Sequence, residues 1–374
     1  MSVEGELRDF LHEVDVASIL QDARYLVANA GIQDAYGVVY VLRRDGRVIG
    51  LAGFVHEPSF LRIGVGPIGL PRLSIWRYVA RAEPLFAPDV SEDEQYRYSA
   101  AMVADIMASG SSRDLLFLQG VNIDSPFARI VQNQAMPDGA PALRAVQHGS
   151  HEKRWVAKLA ESTDAYLDSL SRSTRQSVRR STRKFTASFG ADVCLKCFSS
   201  PGEVASFLDD AIPLSEKTYQ YQRLGGGLRD REHFDRLYSM GSENGWFQSY
   251  ILYVDQEPIA FMTGLRYGPT YNVEHLGYDP NWAQHRVGII MILEIIDDLI
   301  QTRPEIKWYD FGLGDNQYKS MLSHVSYTDG YYFVFPRTVS GSALAAALHS
   351  ANACAAGLKH LVAAARAVVG KVFK

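Results

Sequence analysis

Cysteine is scarce in this chain: three residues in 374, Cys194, Cys197 and Cys354. So sparse and odd a set cannot make a disulfide framework, and it fits a reducing compartment. Cys194 and Cys197 form a CxxC, but no second pair follows. A structural zinc needs four ligands, so no metal is expected and the pair reads as ordinary residues on a strand over 193–198. Long apolar runs are missing too. The longest, Val287 to Ile300, is broken by Glu294, Asp297 and Asp298 and is too short to span a bilayer. The first fifteen residues, MSVEGELRDFLHEVD, carry acids where a secretion signal needs a basic start and an apolar stretch. Strong net charge is absent as well, at −4, so any polyanion site must be a local basic patch. With 47% hydrophobic and 21% charged residues, the composition is that of a cytoplasmic globular protein of about two domains.

An internal similarity organises the rest. YVLRRDGRVIGL (40–51) and YILYVDQEPIAF (250–261) each read as a strand, a polar turn carrying Asp, and a second strand. Each is followed later by a further strand, LLFLQGV at 115–121 and KWYDFGL at 307–313. Two copies of one α/β unit are expected. Between them lies a predicted helix over 164–185, capped by Ser162 or Thr163. A strand at 192–198, helices at 201–219 and 230–243, and a meander at 247–254, 258–267 and 270–278 should follow. Gly288 to Gln301 should be a helix buried along most of its surface, before a strand at 307–312, a short helix at 316–322 and a last strand at 330–336. The domains expected are 1–155, 156–337 and a helical tail over 338–374.

Three features suggest chemistry. A glycine, Gly288, opens a helix straight after a strand, a place where backbone N–H groups and the helix dipole suit a pyrophosphate. The alternative is a tight strand-to-helix junction. On the 164–185 helix, Arg172, Arg175, Arg179 and Arg183 form a stripe without an acid between Arg172 and Gly190. Such a stripe would suit an anionic, phosphorylated acceptor, or it is a solvated face. Asp310 opens an Asp–Phe–Gly–x–Gly turn at a strand end, where clefts form in such sheets. The loop Gly225–Gly227, with Lys217, Tyr219 and Tyr221, would rim an acceptor site. Gly64, Gly66 and Gly69 spell GxGxxG, but Pro67 and Pro71 interrupt it and no βαβ unit surrounds it. After Asp329 no acid remains, while Arg337, Lys359, Arg366, Lys371 and Lys374 follow. That basic tail either packs on the first domain or rests on the inner face of an anionic membrane; packing is expected.

The ordered series DAYLDSLSRSTRQSVRRSTRKF (164–185), WFQSYILYVDQEPIAF (246–261), YNVEHLGYDPNWAQHRVGIIMILEIIDDLI (271–300) and WYDFGLGDNQYKSML (308–322) resembles the GNAT acetyltransferase superfamily. Within it, the series looks most like the branch of CelD-type polysaccharide-biosynthesis acetyltransferases and double-domain FemAB-like transferases. The resemblance covers 160–335 well and 35–155 loosely. It implies tandem GNAT-like domains, each a mixed, mostly antiparallel sheet flanked by helices, the first degenerate. It implies acetyl-CoA or another acyl-CoA as donor, its pyrophosphate held by Arg286, Val287, Gly288 and Ile289, with Ile290 where the family usually has a small residue. It places Glu274 as general base on the central strand, with His275 on the opposite face, Tyr318 as general acid for the leaving thiolate, and Lys319 near the donor's phosphate or carbonyl. The acceptor it implies is a small molecule or glycan precursor. The other implied readings are a FemAB-like transferase taking aminoacyl-tRNA, the one route to a nucleic-acid partner, and a scaffold that keeps the fold without the chemistry.

Overall fold

The computed structural model describes residues 3–14, 17–65, 68–69, 71–109, 114–133 and 144–372. Of the GxGxxG stretch, Gly66 and Pro67 lie outside them, as does Lys374 of the tail. In chain order, α1 (Val3–Glu13) and α2 (Ala23–Ala30) precede β1 (Tyr36–Arg44), β2 (Arg47–Leu61), a short hairpin β3 (Gly64–Val65) with β4 (Ile68–Gly69), β5 (Leu73–Ala80) and β6 (Leu85–Phe86). Then come α3 (Glu92–Ser109), β7 (Asp114–Asn122), α4 (Pro126–Asn133) and β8 (Arg144–Gln147). The chain goes on with β9 (Glu152–Lys158), α5 (Thr163–Ser169), α6 (Arg172–Phe189), β10 (Val193–Phe198), α7 (Val204–Glu216), α8 (Tyr219–Leu224), α9 (Arg231–Glu243), β11 (Ser249–Val254), β12 (Glu257–Tyr267) and β13 (Thr270–Tyr278). It ends with α10 (Val287–Thr302), β14 (Trp308–Leu313), α11 (Gln317–Leu322), β15 (Val325–Phe335) and α12 (Val339–Val372).

Two compact units result, and neither is a continuous stretch. One comprises residues 1–31 and 152–327, the other 32–151 and 328–374. The cut expected at residue 155 therefore misses the N-terminal arm, which packs with the later part of the chain. Ala17 N–H and Ser18 Oγ donate to Thr270 Oγ1 and Asn272 Oδ1 of β13, and Tyr267 Oη donates to Asp22. The Arg24 guanidinium lies over the Trp246 ring and bonds Asn244.

The two units repeat one plan, a mixed sheet flanked by helices. Each opens on a hairpin whose two turn residues have positive φ, Asp45–Gly46 and Asp255–Gln256. That is the type I′ geometry matching the twist of paired strands. A one-residue register shift recurs at the same place in both, at Leu42/Arg43 and at Leu252/Tyr253. Each hairpin leads to a third antiparallel strand, a crossover helix and a parallel strand: β5–α3–β7 in one, β13–α10–β14 in the other. The coincidence of turn, bulge and crossover makes the similarity between 40–51 and 250–261 a structural repeat.

The core of the unit holding 152–327 lies between its sheet and α5, α6 and α10. Eight residues of α10 are buried, from Val287 to Leu299. Each large aliphatic side chain so buried contributes about 1.5–3 kcal/mol relative to an exposed one. The predicted helix over 164–185 is broken: Leu170 is extended, Ser171 accepts a hydrogen bond from Thr174 N–H, and α6 begins at Arg172. A serine that caps the chain behind it cannot continue the helix before it. In the other unit, α12 packs on β8, with Ala345 and Leu348 buried and Asn352 donating to Gln147 O. No helix among the described residues is long and apolar enough to cross a membrane.

Candidate active site

The centre of the site is the end of β13. Its parallel pairing with β14 covers three residues, Thr270 to Asn272 against Trp308 to Asp310. Gly312, at φ +70°, then turns β14 away, while β13 runs on to Tyr278. Val273–Leu276, beyond the stretch that pairs with β14, are half-buried residues.

A bulge sits at the mouth of that splay. Thr263 pairs with His275 but Gly264 pairs with Val273, so Glu274 is the extra residue on β13. Side chains normally alternate along a strand, and the bulge breaks the alternation. Tyr271, Val273 and Leu276 pack toward α10, and the Tyr278 ring lies on Gly288. Asn272, Glu274, His275 and Gly277 face the opposite side, against the N-terminal arm, α7 and α9. The expectation that His275 points away from Glu274 is thereby corrected: both address the same face, because one residue too many stands between Val273 and Leu276.

Glu274 is held there by an unanticipated residue. Tyr25 Oη, from α2, donates to Glu274 Oε1, and the Tyr238 hydroxyl of α9 lies beside the carboxyl and Thr263. Burial raises the Glu274 pKa above the usual carboxylate range, and the Tyr25 hydrogen bond and the nearby Tyr238 hydroxyl offset part of that rise. A carboxylate so tuned is a better proton acceptor near neutral pH than an exposed one. Burial pushes His275 down to about 4, so its imidazole, edge-on to Phe234, is neutral at physiological pH.

The other side of the splay carries a helix N-terminus. The helix α10 begins at Arg286, whose φ of +57° makes the sharp turn, and no side chain caps it. The first amides of such a helix lack partners within it, and they carry its positive end. Of the four expected pyrophosphate residues, Val287 is buried, and Gly288 and Ile289 are half-buried beside Tyr278 and Leu276. The Arg286 side chain is committed elsewhere, to Ser177 Oγ and Ser181 Oγ of α6. A Cβ on Gly288 would lie 3.3 Å from the Tyr278 ring, so the glycine also serves close packing.

On α11, Tyr318 is half-buried against Phe311, and burial lifts its pKa to about 12. It lines the α10 face of the splay. Lys319 is buried and donates to the Gly312 and Leu313 carbonyls, closing the turn that bends β14 away. Desolvation lowers its pKa to about 8, against the pull of Asp310 and Glu152.

Asp310 is occupied, accepting from Gly312 N–H and sitting 3.6 Å from Arg154 Nε. Both contacts fix the turn at the end of β14. Lys217 is tied to Asp279 at 2.6 Å, and Arg229 lies over the Tyr221 ring, while Tyr219 is exposed. The arginine stripe has acid partners after all. Arg175 pairs with Asp168, and Arg179 with Asp164 and Asp168, because the break at Leu170 folds α5 alongside α6. Arg172 and Arg183 remain exposed, Arg183 beside a cavity that Asp164, Glu294 and Asp297 also line.

The repeat in residues 32–151 offers neither half of this arrangement among the described residues. There β5 stays paired with β7 up to its last residue, Ala80. The crossover helix α3 is closed by its own side chains, with Ser91 N–H donating to Glu94 and Glu94 N–H to Ser91 Oγ. Glu92, Asp93 and Glu94 fill its first turn, a charge that repels a phosphate.

Residues 172–320 match the acetyltransferase (GNAT) domain family. No curated protein matches the chain. Among solved structures, FemX superposes with a TM-score of 0.62 at 11% identity, covering 90% of this chain and 96% of its own. A conserved protein of unknown function from Bacteroides thetaiotaomicron gives 0.56 at 12%, covering 90% and 98%. At such identities the likeness shows a shared fold, and chemistry has to be argued from the site. The match to the domain covers the splayed strands, the uncapped helix and the bulge carboxylate together: residues 172–320 form an acetyltransferase (GNAT) domain, and the protein that carries it is an acyltransferase.

Proposed function

We propose that the protein transfers an acyl group, acetyl in the simplest case, from acyl-CoA to an amine or hydroxyl of a sugar or glycan precursor. One observation carries this reading: the splay between β13 and β14 has an uncapped helix N-terminus on one face and a buried carboxylate on the other. The amides opening α10, at Val287 and Gly288, suit the donor's pyrophosphate. The edge of β13 beyond its pairing with β14 supplies a backbone N–H to the thioester oxygen as it gains charge. The acceptor's nitrogen or oxygen attacks the thioester carbonyl and passes its proton to Glu274, directly or through water. The carbon–sulfur bond then breaks, and the thiolate takes a proton from Tyr318. The sugar class of the acceptor rests on the sequence resemblance to CelD-type enzymes.

Calorimetric titration with acetyl-CoA tests the donor, alongside Gly288→Glu, which puts a carboxylate where the pyrophosphate would sit. Micromolar binding by the wild type, lost in a variant that melts cooperatively, is the expected result. Absence of binding by the wild type would overturn the reading. Binding of aminoacyl-tRNA with steep salt dependence would replace it with peptidyl transfer.

A further inference from the structure

We infer that Tyr25, brought in by the N-terminal arm, is a positioning residue for the Glu274 carboxylate, so that residues 17–31 complete the active site of a domain that begins more than a hundred residues later. The inference rests on the proposed role of Glu274 as base.

Three observations carry it. First, the hydrogen bond is long-range in sequence and specific in space: Tyr25 Oη meets Glu274 Oε1 across 249 residues, and Tyr25 is buried. Second, the arm holds Tyr25 there by contacts on both sides. Asp22 caps α2 through Arg24 N–H, takes the Arg24 guanidinium and accepts from Tyr267. Arg24 in turn lies over Trp246, and Gly31, at φ +58°, ends the helix against the His233 ring. Third, Glu274 is the bulge residue, the one position on β13 whose direction the ladder does not fix. A side chain freed from strand alternation needs an external tether if it is to meet a substrate in one orientation, and Tyr25 is that tether.

The consequence is chemical as well as geometric. A hydroxyl donated to a carboxylate favours the ionised form. Tyr238 of α9, beside the carboxyl, is still protonated at pH 7, and His275, next to Glu274 on β13, is neutral. Removing the Tyr25 hydroxyl therefore leaves Glu274 less ionised and less fixed.

The test is Tyr25→Phe in the full-length protein, read in two ways. In the first, the Glu274 carboxyl is titrated by carbon NMR, its signal assigned by its loss in Glu274→Gln. Its titration should move to higher pH in Tyr25→Phe. In the second, acetyl transfer from acetyl-CoA to glucosamine is followed across pH. Here kcat should fall on the order of tenfold or more, with the acid limb displaced the same way and KM for acetyl-CoA unchanged. Should Tyr25→Phe fail to fold, Arg24→Ala, which loosens the seat of α2 without touching Tyr25, should displace the titration in the same direction by less. An unmoved Glu274 titration in a folded variant overturns the inference. The NMR reading needs no turnover, so it stands or falls separately from the choice of donor and acceptor.

Discussion

Gly264 stands opposite the bulge that presents Glu274, and Gly264→Ala is the sharpest structural test of that arrangement. A Cβ there would lie 2.9 Å from Tyr271 Cε2, and closer still to its Cζ and hydroxyl. Tyr271 cannot swing aside cheaply, being fully buried between Tyr250 and Tyr309 and donating to Gln248 O at 3.0 Å. Two costs follow. Overpacking a close-fitted core costs about 1–3 kcal/mol. Displacing the tyrosine strands its hydroxyl and a buried carbonyl, for about 1–3 kcal/mol more. Together these give about 2–6 kcal/mol, or roughly 4–24 °C in melting temperature for a unit of this size. Urea denaturation of Gly264→Ala, Tyr271→Phe and the double variant checks the reasoning. The Tyr271→Phe change should cost about 1–2 kcal/mol alone and clearly less on the alanine background, where the same hydrogen bond is already broken. A Gly264→Ala protein within half a kcal/mol of wild type, or strictly additive costs, would refute the account.

Two further predictions concern pH. The Glu274 pKa is raised by burial above the ordinary 4.5, so the stability it allows is full below that value and declines as pH rises through the folded-state pKa. Glu274→Gln should therefore gain on wild type in urea midpoint with rising pH and then hold level, while transfer activity collapses; parallel stability curves would contradict the burial of the carboxyl. Lys319 runs the other way, with a folded pKa of about 8 against an ordinary 10.5. Its contribution is present above pH 10.5 and lost as pH falls through about 8. Measured against Lys319→Met, the wild type should gain about 3 kcal/mol between pH 7.5 and 10.5, and a constant difference would argue that the amine is solvated.

Much of the fold could be read locally. The Asp45–Gly46 pair and its counterpart Asp255–Gln256 announce tight hairpin turns, and the apolar run after Gly288 announces a buried helix, because each depends on residues adjacent in the chain. The bulge could not be read. Nothing in YNVEHLGY marks one residue as supernumerary; the excess exists only relative to the register of β12. Alternation was therefore assumed, and His275 was turned the wrong way. The acid partners of the arginine stripe escaped for a related reason: Asp164 and Asp168 lie upstream, and only the break at Leu170 brings them alongside. Its signal was Ser171, a capping residue inside an otherwise helical pattern. Tyr25 left no trace at all, since a contact spanning 249 residues has no local pattern to betray it.

The interleaving of the two units has a consequence for synthesis. The arm of residues 1–31 leaves the ribosome well before its partner strand β13, which follows more than two hundred residues later. At translation rates of about 5–20 residues per second, the arm waits on the order of ten seconds or longer with its apolar side uncovered. The unit that emerges meanwhile, 32–151, cannot close either. Its β7 and β8 both pair with β15, a strand among the last fifty residues of the chain. Each half waits for strands made long after its first ones before its sheet is complete, so the nascent chain is a natural client for a chaperone that shelters unpaired strand edges. A fragment cut to residues 172–320 would be born without Tyr25, whose hydroxyl meets Glu274.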